Sequence, residues 1–171
     1  MRLCNPDEFA DVVTQARHRA FHLETRDEYR SESEQEGLHA FLAGEDPHGT
    51  WFNPWQKFVT ELTERGVAMQ RARIVTVPPT DYTRYLLALT PHNIAAGEDV
   101  RWLPRDHADL SDVTADDFWL MDDELVGFSL FDTNDWFVGG AVTSDPQIVD
   151  LAGTIRDRVW TAAVPHAQFR T

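Results

Sequence analysis

The sequence predicts an α/β chain, with α+β as the other reading, in which N-terminal helices pack on a mixed sheet. Three observations carry this. Residues before Gly66 hold three apolar stripes at helical spacing. Residues from Val67 hold short β-branched and aromatic runs bounded by Pro, Gly and Asp. Two more helical stripes separate and close those runs. No repeat or low-complexity linker divides the 171 residues, so a single domain is expected, with a helical layer at 1–66 and a sheet with flanking helices at 67–171.

Phe9, Val12, Val13 and Ala16 fall at i, i+3, i+4 and i+7 and predict a helix over 6–25. Ser33 and Glu36 have capping-box spacing, and Gly44 marks a stop, which gives a second helix at 34–43. Asn53 as cap, Pro54 in the first turn, and the stripe Trp55, Phe58, Val59 and Leu62 predict a third, ended by Gly66. VAMQRARIVTVPP (67–79) reads as a strand stopped by two prolines. Thr80 caps a helix through YTRYLLALT, 98–103 is a short strand, and the acidic stretch 104–116 is a loop. DFWLMDDELVGFSLFD (117–132) reads as a hairpin turning at Asp122 and Asp123. A third strand lies within 135–142. Pro146 opens a last helix with the stripe Ile148, Leu151, Ala152, Ile155 and Val159.

Composition narrows the function. The formal net charge is −14, from 29 acidic and 15 basic residues, which opposes a DNA-binding surface because phosphate contact needs clustered cations. Direct nucleic-acid binding is therefore not expected. No apolar run approaches the roughly 18 residues of a membrane span, and the acidic residues in MRLCNPDEFADVV argue against an export signal. Cys4 is the only cysteine, so intrachain disulfides and four-cysteine zinc sites are excluded and a cytoplasmic location is expected.

Most motif chemistries fail on inspection. There is no GxxxxGK[ST], GxGxxG or GxSxG, and the pair Gly139-Gly140 stands at a strand end without a phosphate-binding helix. Cys4, near a terminus, is a poor nucleophile candidate. His18 and His22 are four apart, a spacing that can share a metal on a helix, but no further His or Cys cluster completes a ligand set. No metal and no cofactor are expected.

Arg71, Arg73, Arg84, Arg101 and Arg105 gather around the central strands, and strand alternation puts Arg71 and Arg73 on one face. They can pair with Asp81, Glu98, Asp99 or Asp117, or they can form an anion pocket outside the carboxyl ends of the strands. Asp117 reads as an ion-pair partner for Arg101 or Arg105. Trp51, Phe52 and Trp55 read as a core seal, with an interaction surface as the alternative.

Two resemblances add to this. The order from Arg73 to Ala163, with GEDVRWLPR, WLMDDELVG and the closing VWTAA, resembles one half of a phospholipase D-like unit. That superfamily's catalytic motif is His-x-Lys-x4-Asp. Aligned on Asp122, the His and Lys positions hold Ala115 and Asp117; aligned on Asp123, they hold Asp116 and Phe118. The resemblance thus implies the topology without the phosphodiester chemistry. Over nearly the whole length, AFHLETRDEY (20–29), FLAGE (41–45), RARIVTVPPTDYTRYLLAL (71–89), NIAAGEDVRWLPR (93–105), DFWLMDDELV (117–126), FD (131–132) and VWTAAVPH (159–166) resemble an actinobacterial family often encoded beside helix-turn-helix regulators. That resemblance implies a regulatory or accessory role.

The expectation is a non-enzymatic protein that binds a partner protein, such as a helix-turn-helix regulator, or a small anionic ligand, with homodimerisation compatible. The contact residues would be Glu24, Arg26, Tyr29, Tyr82, Arg84, Glu98, Arg101, Arg105 and Asp117. The alternative is an enzyme in which Glu24, Glu98 or Asp117 is the general acid or base and arginines hold an anionic substrate.

Overall fold

The computed structural model describes residues 1–113 and 115–170, with the backbone alone at Ser33. In chain order the elements are β1 (Arg2–Cys4), α1 (Pro6–Thr14), β2 (Arg19–Glu24), α2 (Gln35–Leu42), α3 (Asn53–Glu64), β3 (Ala68–Val75), α4 (Asp81–Ala96), β4 (Asp99–Pro104), α5 (Leu110–Val113), β5 (Phe118–Met121), β6 (Leu125–Phe131), β7 (Phe137–Thr143), α6 (Pro146–Ala162) and β8 (Val164–Pro165). The strands make one mixed sheet ordered β1-β7-β6-β5-β2-β3-β4-β8. β2, β3 and β4 run parallel, and the other neighbours pair antiparallel. The expected α/β class with helices on a mixed sheet is what the chain adopts.

Strand alternation sorts the side chains onto two faces. Phe21, Leu23, Ala72, Ile74, Phe118 and Leu120 point to one face and pack beneath α6 through Val149, Ala152, Ile155 and Val159. On the other face Ala20, Met69, Trp119 and Met121 meet α1 and α3, while Val75, Val100 and Trp102 meet α4. α2 packs outside α4 rather than on the sheet.

The first expected helix is cut short. α1 ends at Thr14, and RAFHLE is a central strand, because Phe21 and Leu23 are fully buried at period two between β3 and β5. The segment 1–66 therefore contributes strands as well as helices. α1 is opened by Asn5, whose side chain accepts from Glu8 N–H at 2.9 Å while Glu8 accepts from Asn5 N–H at 3.0 Å, a capping box in addition to the spacing at Ser33 and Glu36. The cap expected at Ser33 concerns a side chain outside the described residues; Glu34 holds the N-cap position of α2. Phe52, not Asn53, holds that position for α3. Thr80 caps α4 as expected, accepting from Thr83 N–H at 3.1 Å. β3 stops at Val75, four residues before the second proline, and the expected loop 104–116 contains the short α5.

Gly139 and Gly140 have a packing reason rather than a phosphate. Gly139 has φ +132°, and a Cβ there would lie 2.2 Å from the Cys4 carbonyl oxygen; one at Gly140 would lie 2.2 Å from the Phe9 ring. The pair lets β1 and α1 close on β7. At the hairpin, Asp122 (φ 53°) and Asp123 (φ 58°) are both left-handed, the twist that joins antiparallel strands tightly.

Candidate functional site

His22 and Glu24 of β2 and Arg71 and Arg73 of β3 share the sheet face beneath α3 and α4, as two-residue alternation in paired strands requires. Arg71 is 6% exposed and Glu98, just before β4, is 3% exposed. Arg71 donates from Nε and Nη2 to Glu98 Oε1 at 3.0 and 2.9 Å, and from Nη1 to Glu24. Arg73 donates from Nε to Glu24 Oε2 at 2.5 Å and from Nη1 to Thr90 Oγ1 at 3.0 Å. The second oxygen of Glu98 accepts from Asn93 Nδ2 at 2.6 Å and Trp55 Nε1 at 3.2 Å. Trp55 and Trp102 face the two guanidiniums at 5.1 Å each.

Electrostatics agree with this closure. Burial opposes ionisation of Glu24, but Arg71 and Arg73 hold its carboxyl well below the usual carboxylate range. His22 is pushed down to about 3, first by burial and then by Arg71. Since a guanidinium only donates, His22 Nδ1, 3.0 Å from Arg71 Nη1, must accept, which places the imidazole proton on Nε2. Trp119 stacks on that ring at 4.1 Å. His22 lies in a strand, so the helical spacing to His18 does not arise. No cluster of three or more metal-ligating side chains occurs among the described residues.

The carboxyl ends of β2, β3 and β4 are sewn together. Asp27 accepts from Thr76 N–H at 2.8 Å and Thr76 Oγ1 at 2.7 Å, and Arg105 lies 3.3 Å from Asp27. Arg105 also donates to the Thr25 carbonyl at 2.6 Å. Of the two readings open for Arg105, ion pair or anion pocket, the first is what the chain shows, since the guanidinium is held by the chain's own oxygens. Arg101 lies 3.5 Å from Asp99 and 4.0 Å from the Trp160 ring centre, and Arg84 pairs with Asp81 one turn away on α4. Arg26 pairs with Asp135 at 2.6 Å and covers Phe131 at 4.3 Å.

Asp117 departs from its expected pairing with Arg101 or Arg105. It accepts from Thr25 N–H at 2.9 Å, from Thr25 Oγ1 at 2.7 Å, and from the Tyr29 hydroxyl. Antiparallel pairing of β5 with β2 carries this, because Leu23 opposite Phe118 brings Asp117 level with Glu24 and beside the next residue, Thr25. Burial pushes the Asp117 carboxyl up against the pull of Tyr29 and Thr25. Tyr82, opening α4, donates to Glu34 Oε2 at 2.7 Å, and burial likewise pushes Glu34 up.

Tyr29 and Tyr82, with rings 5.9 Å apart, form the floor of a cleft of about 330 Å³. Leu38 and Leu42 of α2 and Trp136 of the β6–β7 turn wall it, and Glu28, Arg30 and Asp81 stand among its lining residues. It opens beyond the carboxyl ends of β2 and β3, where open α/β sheets gather ligands. Of the nine expected contact residues, Tyr29 and Tyr82 line this cleft and Asp117 lies behind it. Glu24 and Glu98 sit in the closed network, and Arg26, Arg84, Arg101 and Arg105 are dispersed. Glu34, Leu38, Leu42 and Trp136 were missed. In SESEQE three alternating glutamates read as a solvated face, and no local pattern marks Glu34 as Tyr82's acceptor.

Residues 7–171 match the family DUF6879, described as a domain of unknown function. The chain belongs to the DUF6879 family. No curated protein matches it. Among solved structures, this DUF6879 chain shares its fold with TrmBL2, an archaeal chromatin protein whose structure shows a novel mode of DNA binding. The likeness has a TM-score of 0.50 and 13% identity, over 91% of this chain and 48% of that one. The DUF6879 chain thus spans about half the length of that protein. This fold likeness corrects the exclusion of direct nucleic-acid contact. Net charge sums over the whole surface, whereas phosphate contact depends on where cations sit, so −14 does not exclude it. No helix among the described residues is long and apolar enough to cross a membrane.

Proposed function

We propose that the chain is a non-enzymatic regulatory or accessory protein of the cytoplasm that holds its partner at the cleft between α2 and the carboxyl ends of β2 and β3. The observation that carries this reading is the closure of the buried network. Each carboxylate suited to acid–base work is held by fixed donors, Glu24 by two arginines and Glu98 by Arg71, Asn93 and Trp55. An enzyme built on Glu24, Glu98 or Asp117 would need one of them to reach substrate. A small anion would have to displace Glu24 or Glu98 from Arg71 and Arg73. The cleft asks for neither rearrangement.

The partner we infer is a helix-turn-helix regulator encoded beside this chain. Two things support it: the actinobacterial family resemblance, and a fold shared with half of a DNA-binding chromatin protein. A phospholipase D-like ancestry belongs to the same proposal, with Asp117 standing where that chemistry needs a lysine. Co-expression with the regulator, followed by size-exclusion chromatography with and without duplex DNA, tests it. A stoichiometric complex is expected; separate elution at micromolar concentration in both conditions would contradict it.

A further inference from the structure

Behind the cleft floor stand two carboxylates, Glu34 and Asp117. Among the described residues neither has a cation within ion-pairing distance, whereas Glu24 and Glu98 are both paired to arginine. Each is instead met by a tyrosine hydroxyl, from Tyr82 and Tyr29. A hydroxyl that has given its proton to a carboxylate can only accept from anything else. Tyr29 already accepts once, from Arg26 N–H at 3.1 Å. The Tyr82 hydroxyl has no donor of its own among the described residues. Beside it lies Tyr85, 5.7 Å ring to ring, fully buried and with a hydroxyl that has no partner among the described residues. Burial and then the charge of Glu34 hold the Tyr85 proton on, so that hydroxyl also faces the Glu34 region neutral.

The Tyr29 and Tyr82 hydroxyls at the floor are therefore acceptors backed by carboxylates, whereas the buried Tyr85 keeps its proton and is not among the residues lining the cleft. The surfaces around the floor are aromatic. Such surroundings favour a group rich in donors, positively charged and flat or compact enough to lie on a ring. The chain already shows the pairing nearby, where the Arg26 guanidinium lies on Phe131 and Phe131 in turn packs against Tyr29 at 5.7 Å. At the rim, Arg84 neutralises Asp81, and Arg30 offsets Glu28, so the two inner carboxylates set the sign of the cleft.

We propose that the cleft is an organic-cation site, which takes a guanidinium or ammonium group onto the Tyr29–Tyr82 floor with Glu34 and Asp117 behind it. This rests on the cleft assigned under the proposed function and names the chemistry that the cleft recognises. The cation is either a free small molecule or a basic side chain presented by the partner.

Titration calorimetry of the full chain with methylguanidinium, and separately with a peptide carrying one arginine flanked by leucines, tests this. Wild type binds at least one probe. Glu34→Gln weakens that binding about tenfold, as loss of one of the two carboxylate charges behind the floor implies, while its side-chain oxygen can still accept from Tyr82. Tyr82→Phe, which keeps the ring and the fold, weakens it as well, and the exposed Glu64→Gln leaves it unchanged. Tighter binding of methylguanidinium assigns the site to a free cation, and tighter binding of the peptide assigns it to a partner's side chain. No binding of either probe at millimolar concentration, or equal binding by Glu34→Gln with its fold intact by circular dichroism, overturns the proposal. A regulator complex that survives alongside that negative result would leave the proposed function standing and remove only the cation site.

Discussion

Arg71 holds a single oxygen of Glu98 with two of its nitrogens, Nε at 3.0 Å and Nη2 at 2.9 Å, while its third nitrogen reaches Glu24. One guanidinium thus ties β2, β3 and the residue just before β4 beneath α3 and α4. Arg71→Met should cost about 3–5 kcal/mol, because it leaves buried carboxylates without their cation. Arg71→Lys should recover little, since an ammonium cannot span both partners. Urea denaturation midpoints for the three proteins check this.

His22 gives acid sensitivity a defined origin. Its folded value, about 3, lies below the ordinary 6.5, so the unfolded chain takes up a proton that the folded chain refuses. This contribution is present above pH 6.5 and is lost as pH falls towards 3. Glu24, also depressed when folded, adds to the loss below its ordinary 4.5. His22→Asn keeps an acceptor for Arg71 but does not titrate. Its denaturation midpoint should fall less between about pH 6.5 and 5 than that of wild type, the remaining fall coming from His92 and His166, which burial also pushes down.

Asp122 anchors the chain between α1 and β2, accepting from the N–H groups of Arg17, His18 and Arg19 at 2.9, 2.8 and 2.9 Å. Asp122→Ala removes the two oxygens that accept from three N–H groups and places alanine at φ 53°, so a loss of about 2–4 kcal/mol is expected. Asp122→Asn, which keeps one acceptor oxygen and tolerates the left-handed region, should lose less. Thermal unfolding of the pair separates the two effects.

Gly140→Ala drives a methyl into the Phe9 ring and should destabilise by about 1–3 kcal/mol. Phe9→Leu in the same chain makes room, so the double variant should lose less than the two single losses combined. Additivity would mean that the contact does not matter.

Much of the fold was legible in the sequence. RARIV is β-branched and stops near prolines, and the hairpin announces itself by its double aspartate, so β3, β5 and β6 are local facts. β2 was hidden because RAFHLETR follows directly on a helical stripe, and only its pairing with β3 and β5 makes its alternation decisive. β1 and β8, three and two residues long, exist through their partners alone. The site was less legible for the same reason. Arg71 and Arg73 were placed on one face by alternation, and Glu98 was named among their partners. Asp117 meets Tyr29 across 88 positions of sequence, and Tyr82 meets Glu34 across 48, separations that no local pattern encodes.

Amide hydrogen exchange of the chain with and without the helix-turn-helix regulator tests the central claim most directly. Binding at the cleft predicts new protection concentrated at 28–42, 81–85 and around Trp136, with the already protected β2 and β3 unchanged. Protection confined to other surfaces, such as the β1 edge, or no protection at any micromolar concentration of regulator, would contradict it.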